Sequence, residues 1–355
     1  MELSYAIVEI LREFSSENPT MSTHPMTLTE IQKRLSQRFG NRKSLTEIND
    51  DDFPTRKMVR TSMEALLQTE ASLPEKERTI RYTEKGSDNK KYRSNYYYQS
   101  LLSDAELKYL IDSTLYSSII NTEQMQQLVN NIKGLSGKNL ANMTLYASVF
   151  GEAKYSQQID VLKNVEVLME AIRKQRKVDF SLNVYNIEKE LTPYTKCTIN
   201  PHYVVMGNSR YYLIGTYDGN EKPYFFRVDL MTDIVITNEK SDNRETVPEL
   251  KNGLNLSQYM HQHPYMISGK VSRIKLRVNK SIFTQIIDWF GTDVIVLPDT
   301  ETELTVDVSV KACEGAIHYW LLQYGQEVLA LDMDKEFAKG MQTAAKTIYE
   351  KYGEL

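Results

Sequence analysis

The sequence predicts an α+β protein built from several domains, and three patterns lead to this prediction. Apolar residues recur at helical spacing close to the amino terminus, between Leu3 and Phe14. Residues 199–236 contain three runs of β-forming residues separated by turn signals. Residues 270–355 alternate between strand-like and helix-like patterns. With 355 residues, the chain is long enough for two or three domains, each with its own core.

Composition indicates ordinary globular material, with 41% hydrophobic and 25% charged residues. No apolar run is long enough to predict a transmembrane helix, and no signal peptide is expected, so we expect a cytoplasmic protein. The net charge of -4 argues against a chain coated with nucleic acid but leaves room for a local basic face. With only Cys197 and Cys313, neither a disulfide framework nor a Cys-rich zinc site is expected.

Three helices are predicted in the amino-terminal part. The first spans Leu3 to Phe14, and the second opens on a capping box formed by Thr27 and Glu30. The third is predicted to begin near Pro54, where the missing N–H is not needed. The residues expected to face inward from the second and third helices are Leu28, Ile31, Leu35, Phe39, Met58, Val59, Met63, Leu66 and Leu67.

The start of the third helix carries a polar and basic face with Arg56, Lys57, Arg60 and Thr61. Early residues of a recognition helix meet base edges and phosphates in the major groove. Arg can bind guanine bidentately, whereas Lys and Thr suit phosphates. A basic face on a surface helix is also commonly just solvated, so the spacing alone leaves both interpretations open.

A basic hairpin is predicted next, with strands at residues 79–83 and 95–99 and a turn at residues 86–89. A basic hairpin after a recognition helix is the wing of a winged helix, and its cations would bind phosphates in a salt-dependent way. Residues 1–100 are therefore predicted to form a winged helix-turn-helix DNA-binding domain. The cations of this hairpin are Lys85, Lys90, Lys91 and Arg93.

Residues 101–156 are predicted to form a helical connector. Ser103 and Glu106 form another capping box, which opens a helix through about Ser118. Helical patterns follow at residues 123–132 and 157–176, of which the latter is assigned to the next domain. These helices could carry dimer contacts or only pack into a core, and both possibilities stay open.

Residues 199–236 predict a small antiparallel meander, preceded by a strand from Val178 to Val184. The meander contains the motifs Arg210-Tyr-Tyr-Leu-Ile-Gly215 and Phe226-Arg-Val-Asp229. These motifs closely resemble the WYL domain of bacterial transcriptional regulators, with Tyr211 in place of the family's Trp and Leu182 where a Tyr is common. The resemblance implies an Sm-like or SH3-like β-barrel over residues 157–245. It also implies an effector, often nucleic acid or a nucleotide, on a basic and aromatic face of that barrel. The three predicted strands of the meander are Tyr203–Met206, Tyr211–Thr216 and Tyr224–Leu230.

The middle strand of the meander has two faces, because successive side chains of a strand alternate. Tyr212 shares one face with Ile214, and Tyr211 shares the other with Leu213. One face must fill the barrel. The family pattern implies that Tyr212 is the exposed tyrosine and contacts the effector.

Arg227 is the main candidate for binding the effector, since it lies between two apolar neighbours and points away from their side. Asp229 shares its face and could be only a structural ion-pair partner. Given the resemblance, Arg227 is predicted to bind a phosphate or carboxylate through its planar guanidinium group. His202, Tyr203 and Arg210 complete the predicted set, with ordinary surface or packing roles as the alternative.

Residues 270–355 resemble the C-terminal extension found beside WYL domains. A strand, a helix and a strand are predicted in residues 271–297, followed by a strand at 303–310 and helices at 315–324 and 335–352. Trp289, Phe290 and Trp320 are expected in the core. The order is that of a ferredoxin-like α/β module.

The sequence contains no P-loop, dinucleotide-binding, zinc-protease or nucleophile-elbow motif. His261 and His263 could place two imidazoles on one side of an extended segment, but no acidic or Cys cluster accompanies them. We therefore expect no enzyme, no cofactor and no metal site.

The sequence thus predicts a ligand-responsive transcriptional regulator. It would bind duplex DNA through its winged helix and a nucleic-acid or nucleotide-type effector through its WYL domain, as a homodimer without a membrane partner. The alternative is a single-stranded nucleic acid (RNA) binding accessory protein of a CRISPR or phage-defence system. A module that binds only proteins is a third possibility.

Overall fold

The computed structural model describes residues 2–16, 24–87, 90–116, 119–135, 159–253 and 255–353. The chain divides into two compact units, Met1–Ser117 with Asn121–Lys154 and Ser118–Ile120 with Tyr155–Leu355. Both units contain helices and strands, so the α+β prediction is confirmed at this level. None of the helices in the described ranges combines the length and the apolarity that a membrane crossing requires.

The first unit begins with three helices that pack around one core. The hairpin strands pair antiparallel, and Met26 forms an isolated bridge to Tyr96 of the second strand. The core takes Ile7, Ile31 and Met63 from the three helices. The elements are α1 (Glu2–Phe14), α2 (Leu28–Arg38), α3 (Arg56–Ala71), β1 (Ile80–Ser87) and β2 (Lys90–Tyr98).

The capping box of α2 is present, since the Glu30 N–H donates to Thr27 Oγ1 at 3.3 Å and the Thr27 N–H donates to Glu30 Oε2 at 2.7 Å. Helix α3 begins later than predicted, because Thr55 caps it by accepting from the Met58 N–H at 3.4 Å. Pro54 therefore lies before the cap and not in the first turn.

Two residues predicted to face inward are exposed. Phe39 follows the last turn of α2, where it contacts Phe53 edge-on instead of entering the core. Met58 is 41% exposed because the buried stripe of α3 runs through Val59, Met63 and Leu67, at intervals of four residues.

Two further helices, α4 (Asp104–Tyr116) and α5 (Thr122–Lys133), pack on each other through a small core that includes Leu107 and Val129. The Ser103–Glu106 capping box is confirmed, with the Ser103 N–H donating to Glu106 Oε2 at 2.7 Å. Most of the irregular segment predicted at 134–151, and the first residues of the helix predicted at 157–176, lie outside the described residues.

The second unit begins with helix α6 (Val161–Lys174) and a five-stranded antiparallel sheet in the order β6-β5-β4-β3-β7. The long strand β4 pairs with β3 through its first half and with β5 through its second half. The segment Val228–Leu230, predicted as strand, is a 3-10 turn that links β6 to β7. The strands are β3 (Arg176–Tyr185), β4 (Leu191–Gly207), β5 (Arg210–Thr216), β6 (Tyr224–Arg227) and β7 (Met231–Lys240).

Both faces of this sheet are covered at strand β5. Helix α6 and the core around Leu213 and Phe226 fill one face. A second core covers the other face, formed by residues 247–266 with helix α7 (Leu256–Gln262). Tyr212 belongs to this second core and is only 6% exposed, so the prediction that it is the exposed tyrosine is wrong.

The rest of the second unit is a four-stranded antiparallel sheet in the order β11-β8-β10-β9, with helices between its strands. Trp320 and Phe290 are in its core as predicted, whereas Trp289 is only partly buried against it. The short strand β11 is an addition to the predicted elements. The elements are β8 (Val271–Asn279), α8 (Phe283–Phe290), β9 (Ile295–Leu297), β10 (Thr305–Cys313), α9 (Glu314–Gln323), β11 (Val328–Ala330) and α10 (Lys335–Gly353).

Candidate nucleic-acid and effector interfaces

A cleft of about 1040 Å³ lies between α3 and the hairpin in the first unit. The start of α2, at residues 27–29, forms part of its wall. We call it the basic cleft, because cations from both elements line it together with two glutamates. Its charged residues are Arg56, Arg60, Lys91, Arg93, Glu64 and Glu84.

The helix residues predicted to bind DNA lie on or beside this cleft. Arg56 Nη1 donates to Asp50 Oδ2 at 3.0 Å, so part of its charge is already neutralised. Lys57 and Arg60 are exposed, and neither makes an ion pair within the described residues. The Thr61 side chain is exposed, and its hydroxyl donates to the Lys57 carbonyl oxygen at 3.1 Å.

Of the hairpin cations Lys90, Lys91 and Arg93, which are predicted to bind DNA, the structure describes the side chains of two. Lys91 is exposed in the cleft, and the guanidinium carbon of Arg93 lies 4.9 Å from the centre of the Tyr82 ring. This cation–π contact holds Arg93 over the sheet with its charge available. The side chain of Lys90 lies outside the described part of the chain.

A second group of predicted residues surrounds Asp229 at the edge of β5 and β6. Arg227 binds this carboxylate bidentately, with Nε 3.1 Å from Oδ1 and Nη2 2.7 Å from Oδ2. Arg210 Nε lies 3.7 Å from Oδ2. We call these three residues the Asp229 cluster. Its two guanidinium groups share one carboxylate and leave a net positive charge.

The cluster is partly open to solvent. The Asp229 side chain is 11% exposed, whereas those of Arg210 and Arg227 are 28% and 31% exposed. Hydrogen bonding to Asp229 raises the pKa of Arg227. The carboxylate therefore lies beneath two charged groups whose outer edges face water, an arrangement able to receive an anion.

Tyr212 lies directly opposite Arg227 across the β5–β6 pair. Burial raises the pKa of its hydroxyl, and the nearby Arg227 and Arg210 oppose that rise. The ring fills the second core while its hydroxyl end approaches the cluster. Tyr212 thus supports the cluster from below and offers no open ring face for stacking.

His202 and Tyr203 are not part of the cluster. His202 is 3% exposed, its Nε2 lies 3.0 Å from Thr216 Oγ1, and burial lowers its pKa to about 4. It is one of the residues that line a separate open cleft of about 660 Å³, together with Lys240. Tyr203 is half-buried, with the Arg244 guanidinium carbon 5.4 Å from its ring centre.

The structure therefore brings together three of the five predicted effector residues, Arg210, Tyr212 and Arg227. The sequence suggests Asp229 only as a partner of Arg227 and gives no sign that it also approaches Arg210. The pairing of β5 with β6 decides this contact. The motif spacing carries no signal for it.

The two histidines considered as a metal pair are separately engaged. His261 Nδ1 lies 3.2 Å from the Trp289 carbonyl oxygen, and His263 Nδ1 lies 2.9 Å from that of Tyr259. His263 is buried between Tyr259 and Phe225, and burial lowers its pKa. Within the described residues, no cluster of three metal-ligating side chains includes either of them.

Comparison with protein families identifies the segment that contains the Asp229 cluster. Residues 163–236 match the WYL domain. The resemblance seen in the two motifs is thereby confirmed for the segment from α6 to β7. The WYL segment contains all five predicted effector residues, and the basic cleft lies outside it.

Comparisons of the whole chain give weaker likenesses. No curated protein matches the sequence. Among solved structures, one match is Proteasome accessory factor B/C (PafBC) of Arthrobacter aurescens, at 12% identity and a TM-score of 0.29, covering 96% of this chain and 52% of that one. The chain thus spans about half the length of PafBC. A CRISPR Cas-related protein matches at 14% identity and a TM-score of 0.37, covering 99% and 92%.

Proposed function

We propose that this chain is a ligand-responsive transcriptional regulator. It binds duplex DNA through residues 1–100 and a nucleic-acid or nucleotide-type effector through its WYL domain. The observation that carries the proposal is the basic cleft, because it occurs in the same chain as a WYL domain. We propose further that the protein is a cytoplasmic, non-enzymatic homodimer that acts on a two-fold symmetric operator.

The topology of the first unit supports a winged helix. The Met26–Tyr96 bridge adds a third, very short strand to the hairpin, so the order is helix, strand, helix, helix, strand, strand. In that arrangement α3 is the recognition helix and the hairpin is the wing. The exposed cations Lys57 and Arg60 on α3 and Lys91 on the hairpin could then bind one duplex together.

The two sheets of the second unit support the other two predicted modules. In the WYL domain, five strands in the order β6-β5-β4-β3-β7 with a 3-10 turn before the last strand suit an Sm-like barrel. In residues 270–355, the order β11-β8-β10-β9 suits a ferredoxin-like module. We assign residues 101–156 to a helical connector and residues 157–245 to the barrel with its helix.

The Asp229 cluster is the proposed effector site. A phosphate can approach the outer edges of Arg210 and Arg227 without displacing the carboxylate, since both guanidinium groups are partly exposed. An effector bound there changes DNA binding only if it binds the DNA-competent and incompetent arrangements with different affinity. The covered faces of β5 restrict the contact to the sheet edge, so we expect recognition of phosphates more than base stacking.

The DNA-binding part of the proposal is tested by selection. The purified protein is mixed with fragmented genomic duplex DNA at near-physiological salt, and the bound fragments are sequenced. We expect a discrete palindromic site, and we expect Arg60→Ala to weaken binding to it about tenfold, the size of one base contact. Lys76→Ala also removes an exposed positive charge but lies outside the cleft, so it is the matched control and should leave the selection unchanged.

Failure to enrich any duplex site, with or without added single-stranded oligonucleotide, would contradict the proposal. Binding of single strands that survives loss of Arg56 and Arg60 would instead favour the accessory-protein alternative. Enrichment unaffected by Arg60→Ala would show that duplex binding uses another surface.

A further inference from the structure

The basic cleft contains two carboxylates, Glu64 on α3 and Glu84 on the hairpin, and the binding of phosphates does not explain the one on α3. Glu64 is exposed on α3 and lines the cleft together with Arg60 and Arg93. Its carboxylate makes no ion pair or hydrogen bond within the described residues. An uncompensated negative charge on a surface that approaches a polyanion weakens non-specific binding.

The neighbouring cations could neutralise Glu64 but do not. Arg60 lies one helical turn before it, in the order that gives the weaker i, i+4 pair. Arg93 lies over the Tyr82 ring instead. Glu64 also approaches the Tyr96 hydroxyl, whose pKa is raised by burial and by Glu64 and lowered by Arg93 and Arg60. These charges therefore lie around one point of the cleft while remaining separate.

The position of Glu64 on α3 suits contact with base edges. Lys57, Arg60, Thr61 and Glu64 follow one another at intervals of three, one and three residues, so they form one outward face over two turns. A carboxylate can only accept hydrogen bonds. In the major groove it is repelled by guanine O6 and N7 and by thymine O4, and its usual donor partner is the N4 amino group of cytosine.

Resting on the proposed function, we propose that Glu64 determines the sequence specificity of the cleft by accepting a hydrogen bond from a cytosine amino group. The neighbouring cations supply affinity for any duplex, and Glu64 lowers that affinity except where a cytosine lies opposite it. Specificity here is the difference between the affinity for the correct site and the affinity for other duplexes. The unpaired charge of Glu64 acts mainly by lowering the second of these.

The test compares the full chain with Glu64→Gln and with the control Glu77→Gln, which makes the same charge change on an exposed residue that does not line the cleft. Each protein undergoes the genomic duplex selection. Fluorescence anisotropy at one salt concentration then measures affinity for the selected site and for a scrambled duplex. For Glu64→Gln we expect tighter binding to the scrambled duplex and a relaxed preference at one position per half-site, where adenine is accepted beside cytosine because the amide can donate as well as accept.

The expected fall in the ratio of specific to non-specific affinity is about tenfold, within the range of one base contact. An unchanged consensus and an unchanged ratio in Glu64→Gln would overturn the inference. If the unaltered chain enriches a site and Arg60→Ala weakens binding, that result would leave the proposed function standing. If the unaltered chain enriches no site, both fail together.

Discussion

At the scale of single residues, Asp229 organises the candidate effector site. Its carboxylate accepts two hydrogen bonds from Arg227 and attracts Arg210. Hydrogen bonds to charged groups are worth roughly 1.5–3 kcal/mol each, so the guanidinium groups are held in place before an effector arrives. The ion pair between Arg227 and Asp229, which the sequence suggested as the alternative role of Arg227, is therefore present. It leaves each arginine partly exposed, so the proposed effector could bind without displacing it.

His202 provides a pH-dependent prediction. Burial lowers its pKa to about 4, whereas an unfolded histidine titrates near 6.5. The unfolded chain therefore binds more protons as the pH falls from 6.5 to 4, and folded stability decreases through that window. Above pH 6.5 His202 is neutral in both the folded and the unfolded chain, so its burial costs no stability there. Between pH 7.5 and pH 5.0, the free energy of unfolding should fall by about 1–2 kcal/mol less in His202→Gln than in the unaltered chain.

Urea unfolding at the two pH values measures this difference. Tryptophan fluorescence is a suitable probe, because Trp289 and Trp320 lie in the same compact unit as His202. His318→Gln is the control, since His318 is only partly buried. An equal pH dependence in the unaltered chain and in His202→Gln would contradict the prediction.

At the scale of elements, β5 is buried on both faces, and this explains the wrong expectation for Tyr212. Alternation places Tyr212 and Ile214 on one face, as predicted, and that face is covered by residues 247–266. The covering segment follows β6 and β7, so two further strands separate it from β5 along the chain. Nothing within β5 indicates that cover.

Close packing of β5 against β4 gives a second prediction. A Cβ atom on Gly215 would lie 2.4 Å from Ile199 Cγ2 and 2.8 Å from the Asn200 carbonyl oxygen. Because backbone cannot move aside as a side chain can, Gly215→Ala should lower the free energy of unfolding by about 1–3 kcal/mol.

Gly207→Ala is the matched comparison at the other end of the same strand pair. Its Cβ atom would meet the ends of two flexible side chains, 2.2 Å from Met260 Cε and 3.0 Å from Met266 Sδ. Both side chains can rotate away, so we expect the smaller loss. Urea unfolding of the two variants measures the difference, and an equal or larger loss in Gly207→Ala would contradict the packing argument.

At the scale of the whole molecule, the basic cleft and the Asp229 cluster belong to different compact units. Separate units would allow the two proposed binding activities to be lost independently. The proposed regulation then requires coupling between them, which is a free energy that each ligand exerts on the other.

The corresponding prediction uses Arg227→Ala. We expect at least about tenfold weaker binding of a single-stranded oligonucleotide, because one of the two guanidinium groups proposed to bind its phosphates is removed, with duplex binding by the apo protein unchanged. Arg60→Ala should show the opposite pattern. Fluorescence anisotropy with both probes makes the measurement, and Lys222→Ala is an exposed control in the WYL domain. Parallel loss of both activities in either folded variant would argue against separate sites.

Much of the local structure could be predicted from sequence. The capping boxes at Thr27 and Ser103 need only neighbouring residues, and the WYL motifs lie within single strands or the turn that follows one. The start of α3 differs from the predicted one because Pro54 and Thr55 both suit a helix start, and only the observed cap on the Met58 N–H distinguishes them.

The sequence by itself determined the helix stripes, the meander and the residue types of both candidate sites. The tertiary structure alone decided that Tyr212 is covered, that Arg210 and Arg227 share Asp229, and that Glu64 faces the hairpin cations. The physical reason is the range of the interactions. Periodicity specifies which side chains share a face of their own element, whereas burial and charge pairing depend on elements that are distant along the chain.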